Sequence, residues 1–165
     1  MLLLAHRTRT KPDLKKPNSM AHDERIRRAE ILLVEDNPAD VRLMREALAE
    51  ISVPHRLGVA ETGGKALQML RREGVESARP DLVLLDLNLP DMHGLAVLKE
   101  VKTDPALRRI PVIVFSSSEK REEVAEAYNL NANSYIAKPV ELADFIHMVK
   151  GVEEFWLTVV KLPKD

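Results

Sequence analysis

Apolar residues in this chain fall into short continuous runs separated by segments of helical period. Ile31–Glu35 (ILLVE), Asp81–Asp86 (DLVLLD) and Pro111–Phe115 (PVIVF) are too short for helices and rich in branched residues, which predicts buried strands. Ser134–Ala137 predicts a further short strand, and Val53–Ala60 a weaker one interrupted by Pro54, His55 and Gly58. Asn37-Pro38 places an N-cap residue before a proline at the first helical position. The helix it opens runs to about Glu50, with Val41, Met44 and Leu48 at core spacing. Further helices are predicted over Gly63–Glu73 (Ala66, Leu67 and Leu70 inward), Gly94–Lys102 (Leu95, Leu98 and Val101) and Glu119–Asn129. A last, long helix is predicted from Val140 to about Val160, with Leu142, Phe145, Ile146, Val149 and Val152 toward the sheet.

Five strands alternating with five helices predict an α/β fold, a doubly wound parallel sheet covered on both faces. Right-handed crossovers leave few topologies, and the flavodoxin-like order 2-1-3-4-5 is the common one at five strands. Ligands of such sheets bind beyond the carboxyl ends of the strands, beside the switch in strand order, here between strands 1 and 3. The functional residues are therefore expected just after Val34, Leu85, Phe115 and Ala137.

Those positions hold Glu35 and Asp36, then Asp86, then Ser116, then Lys138. Each has an ordinary reading alone: a turn former, a helix cap, a surface lysine. Together they put three acids, a hydroxyl and an ammonium in one crevice. At ~4 Å and an effective dielectric of about 20, each pair of carboxylates repels by about 4 kcal/mol. Lys138 offsets part of this, and a hard divalent cation such as Mg²⁺ offsets more. An Asp carboxylate so placed can attack phosphorus, with lysine and metal neutralising the phosphoryl oxygens.

Charge and composition narrow the partners. The net charge of −1 gives no overall pull toward nucleic acid or anionic membrane. No apolar run reaches membrane-helix length, and the chain has no cysteine, which excludes disulfides and Cys nucleophiles and suits a cytoplasmic location. Residues 1–30 carry a net +4 against −5 for the rest. The first stretch, polar and basic with Pro12 and Pro17, is expected to be disordered over 1–28, with translation starting at Met1 or at Met20.

The stretches ILLVEDNPAD, DLVLLDLNLPDMHGLAVLKEVK, IPVIVFSSSE and NSYIAKP resemble the receiver domains of two-component response regulators, over Glu30 to about Leu157. The resemblance implies a receiver domain over 29–162 with Asp86 as phosphoacceptor. It makes Asp36, Asp86 and the main-chain carbonyl of Asn88 the Mg²⁺ ligands, with Glu35 acting through water. Ser116 would be the hydroxyl switch, Tyr135 the aromatic switch and Lys138 the pocket cation. The Lys138–Pro139 bond would be cis. The pair Gly63-Gly64 is a local departure that threatens no pocket residue.

Only five residues follow Val160, so no output domain is expected, and signalling falls to protein–protein contact. The resemblance puts a sensor histidine kinase on the first helix, where Ala39, Asp40 and Leu43 point away from the predicted core. The long last helix, with Phe155, Trp156 and Val159 beyond the normal packing length, predicts a homodimer through the fourth helix, fifth strand and fifth helix. That ending, with NPADVRL and AN-x-YI-x-KP, also looks like the stand-alone regulators paired with bacterial phytochrome kinases. A flavodoxin-type FMN carrier shares the topology, but Glu35 and Asp36 would repel its phosphate. A haloacid-dehalogenase-type phosphatase wants an acid two residues after its nucleophile, where this chain has Asn88. The alternative within the resemblance is a pseudo-receiver, a binding module that is never phosphorylated.

Overall fold

A computed structural model describes residues 27–73 and 78–163. The elements run β1 (Ala29–Val34), α1 (Pro38–Ala49), β2 (His55–Ala60), α2 (Gly63–Arg71), β3 (Leu82–Leu85) and α3 (Gly94–Thr103), followed by β4 (Val112–Ser116), α4 (Arg121–Asn129), β5 (Ser134–Ala137) and α5 (Leu142–Glu153). The strands form one parallel sheet in the order β2-β1-β3-β4-β5, as the alternation predicted. Val34 pairs with Leu85, Leu85 with Val114, and Ser116 with Ala137, so the strands end level on one rim.

Side chains alternate between the two faces with period two. Ile31, Leu33, Leu82, Leu84, Ile113 and Phe115 face α1 and α5, where they meet Met44, Leu48, Phe145 and Val149. Leu32, Val34, Val83, Leu85, Val112 and Val114 face the other way, toward Leu67, Leu70, Val97, Leu98 and Ala127. Each such burial contributes about 1.5–3 kcal/mol, so this two-sided packing is what fixes the sheet. Phe115 and Phe145 meet edge to face, centroids 5.6 Å apart.

Several boundaries differ from the sequence expectation for backbone reasons. β2 starts at His55, after Pro54, whose ring nitrogen carries no ladder donor. α2 stops at Arg71 because Arg72 turns left-handed, φ 59°. α4 opens at Arg121, with the Ser118 hydroxyl accepting from the Lys120 amide ahead of it at 3.4 Å. α5 does not continue as an α-helix to Val160: Glu154–Val159 form a π-helical turn, closed by the Val160 amide on the Phe155 carbonyl at 2.9 Å. Leu142, expected on the sheet, is 56% exposed, because it occupies the first helical position, ahead of where α5 meets the sheet at Phe145. No described peptide bond is cis, so Lys138–Pro139 is trans, the isomer an X–Pro bond prefers by about 0.5–1 kcal/mol.

The basic N-terminal segment up to residue 26, with Met1 and Met20, lies outside the described residues. Among those described, no helix is long and apolar enough to cross a membrane.

Candidate functional site

The level strand ends bring the five expected residues together. Glu35, Asp86 and Ser116 are the buried polar side chains of the described residues, and all three lie on this rim. One carboxylate oxygen from each of Glu35, Asp36 and Asp86 falls within 4.8 Å of the others. Lys138 reaches in from the end of β5. Its Nζ stands 2.5 Å from Glu35 Oε2, 2.9 Å from Asp40 Oδ2 and 3.3 Å from Asp86 Oδ2. The same ammonium lies 5.5 Å from the Phe115 ring centroid. Burial alone would push the Lys138 ammonium down; its bonds to Glu35 and Asp40 and the charge of Asp86 outweigh that and hold it above its usual range. Burial pushes the Glu35 carboxyl up, opposed by Lys138 and by the Asn37 amide.

The oxygens differ in what they have left to offer. Glu35 is committed at both: Oε1 accepts from the Asn37 amide at 3.0 Å and Oε2 from Lys138. Asp86 Oδ2 faces Lys138, whereas Asp86 Oδ1 is buried with no hydrogen-bond partner. A buried acceptor left unpaired costs about 1–3 kcal/mol, more when charged, so its place invites a cation. Asp36 is exposed beside it. Two carboxylates that each keep a free oxygen, with a third held back behind a lysine, fit Mg²⁺, which takes one or two carboxylates and keeps several waters. Asn88 lies two residues past Asp86, exposed in the loop between β3 and α3.

Ser116 ends β4 fully buried, its Oγ accepting from the Ser118 amide at 3.2 Å. Tyr135 is half-buried against the α2–α4 side of the core, and its hydroxyl donates to the Ser118 carbonyl at 2.7 Å. Burial pushes the Tyr135 phenol up. The loop after β4 is thereby tied to both proposed switch residues.

Other sequence expectations are corrected here. Asp40 was expected to point away from the core toward a partner; instead it closes the Lys138 cage. The signal was available: Asn37 caps α1 by accepting from the Ala39 amide at 2.9 Å, so Asp40 is the third helical residue, where an acidic side chain turns back toward the helix start. Leu43, expected as an exposed contact, is half-buried against the α1–α5 side of the core. Ala39 is exposed as expected. At the other end, Phe155 (53%) and Val159 (64%) are exposed, whereas Trp156 packs back on its own domain. The two aromatic rings still meet edge to face, centroids 5.6 Å apart.

A parallel five-stranded sheet with an acid pocket, a buried hydroxyl and a caged lysine at its carboxyl rim defines a phosphoacceptor-type α/β module. Residues 31–150 match the model of the response regulator receiver domain, and the chain belongs to that family. It is 44% identical to response regulator Rcp1 of Synechocystis sp. over 135 residues, which span 81% of this chain and 92% of that protein. Among solved structures, the phosphorylated cyanobacterial phytochrome response regulator RcpA is 46% identical with a TM-score of 0.80, covering 84% of this chain and 100% of that one. The Mn²⁺-bound form of Rcp1 is 43% identical with a TM-score of 0.79, covering 82% and 99%.

Proposed function

We propose that this chain is a response regulator that takes a phosphoryl group from a histidine kinase, or a histidine phosphotransfer protein, onto Asp86. The observation that carries the reading is Asp86 Oδ1, buried and unpaired on a residue of the acid cluster. Asp36, Asp86 and the Asn88 carbonyl would hold Mg²⁺, with Glu35 acting through a water. The metal supplies positive charge to the phosphoryl oxygens when bound. An Asp86 oxygen forms the new bond to phosphorus as the phosphorus–nitrogen bond of the phosphohistidine breaks and the imidazole takes back the electron pair. Lys138 balances the negative charge, and the Ser116 hydroxyl donates to a phosphoryl oxygen. Tyr135, already tied to the Ser118 carbonyl, follows that loop as the state changes. The domain spans 29–162, catalyses only its own phosphorylation and dephosphorylation, and works in the cytoplasm by protein contact.

The likeness to RcpA supports a phytochrome-type kinase as donor. The face of α4, β5 and α5, extended by exposed Phe155 and Val159, supports a homodimer.

The test is intact mass after incubation with acetyl phosphate and Mg²⁺. We expect a gain of about 80 Da, one phosphoryl group, in the wild type and none in Asp86→Asn or without metal. A folded wild type that takes no adduct under rapid trapping refutes the reading and leaves a constitutive binding module.

A further inference from the structure

Gly63-Gly64, a mere local departure in the sequence, has a partner across the molecule. Asp91, in the loop between β3 and α3, accepts from both amides: Gly63 N–H on Oδ1 and Gly64 N–H on Oδ2, each at 2.8 Å. Both carboxylate oxygens are used, at a helix start where free amides and the helix dipole favour an anion. Thr62 takes the next donor, accepting from the Lys65 amide at 3.1 Å. The approach is close. A Cβ on Gly63 would lie 2.5 Å from Met92 Cγ and 2.7 Å from Val97 Cγ2, and one on Gly64 would lie 3.2 Å from Asp91 Oδ2. The Gly64 and Gly63 amides hold the Asp91 carboxyl below its usual range.

The loop that Asp91 anchors is the one that leaves the phosphoacceptor. Its neck is closed by the Gly94 amide donating to the Leu87 carbonyl at 2.8 Å. Leu89 and Met92 pack partly against the core. Asn88 lies between neck and tip, exposed. Asp91 supplies the polar tie at the tip.

We propose that Asp91 is a positioning residue for the phosphoryl pocket: by clamping the loop onto the Gly63 and Gly64 amides it holds the Asn88 carbonyl in place to share a cation with Asp36 and Asp86. This rests on the reading of Asn88 as a metal ligand given above. The clamp acts on the metal's site and not on the attacking oxygen, so its loss weakens metal binding more than the chemistry that follows.

The test uses the full chain and Mg²⁺ alone, titrated calorimetrically, with adduct formation from acetyl phosphate followed against Mg²⁺ concentration. Asp91→Ala should raise the Mg²⁺ Kd about tenfold, as loss of an orienting outer partner does, while the rate at saturating Mg²⁺ stays within about twofold of wild type. Asp91→Asn, which keeps one acceptor oxygen, should fall between, and Gly64→Ala should shift the same way. A helix cap that only stabilises would lower the melting temperature and leave the Kd unmoved. A Kd within about twofold of wild type in folded Asp91→Ala overturns the proposal. Should that variant not fold, Asp91→Asn and Gly64→Ala are judged by the same criterion. A wild type that binds no Mg²⁺ and takes no adduct fails the proposed function itself, a result distinct from an unmoved Kd.

Discussion

Replacing Lys138 with methionine keeps most of the side chain's volume and removes its charge. The Glu35 and Asp86 side chains, 2% and 6% exposed, then face each other with no cation between them. Asp40 is about a third exposed, so water screens it and it adds little. Breaking a buried pair by removing one partner costs about 3–5 kcal/mol, against a total of about 5–15 for a domain. The deficit should depend on pH, with a sign that follows from burial. Burial already raises the Glu35 carboxyl above 4.5, and losing Lys138 raises it further. A carboxyl raised on folding contributes stability below its unfolded pKa and loses it as pH rises through the folded value. In the wild type Lys138 is raised on folding, so its contribution is fully present at pH 7. The gap between variant and wild type should therefore be widest near pH 7 and shrink toward pH 4.5. Urea denaturation of both proteins in metal-free buffer at the two pH values measures it. A deficit under about 1 kcal/mol, or one equal at both pH values, would refute the buried-charge reasoning.

Two other perturbations follow from the packing. A Cβ on Gly94 would lie 2.3 Å from the Asp86 carbonyl oxygen and 2.7 Å from Leu87 Cα, both backbone, so Gly94→Ala should destabilise by at least about 1–3 kcal/mol. Gly151→Ala, in α5 with nothing within 4 Å, should instead stabilise by about 1 kcal/mol; equal effects in urea melts would sink the contact argument. Phe155→Asp with Val159→Asp should shift the proposed dimer to monomer in sedimentation, and an unchanged sedimentation coefficient would place the interface elsewhere.

Much of this site was legible because a parallel sheet sorts function by position. Continuous apolar runs located the strands, and the residue after each run was the one to read: Glu35, Asp86, Ser116, Lys138. What escaped the sequence depends on where a side chain turns once the backbone is built. Asp40 looked outward on a helical wheel, yet as the third residue of α1 it bends back to Lys138. Leu43 and Leu142 have similar hydropathy and nearly opposite expectations, but one leans on the core and the other opens to solvent at a helix start. Asp91 in LPDMHG reads as a turn residue, because its partners are amides 27 and 28 residues away, and backbone donors leave no trace in composition.

The π turn at Glu154–Val159 closes its hydrogen bonds one residue later than an α-helix does. Within it Phe155 stands exposed while Trp156 leans on its own domain, the two rings meeting edge to face with centroids 5.6 Å apart. The outward face of the tail is thus counted in residues and not written in hydropathy. Gaining or losing a single residue there would re-aim the tail at a different neighbour while leaving every side chain of the acid pocket in place.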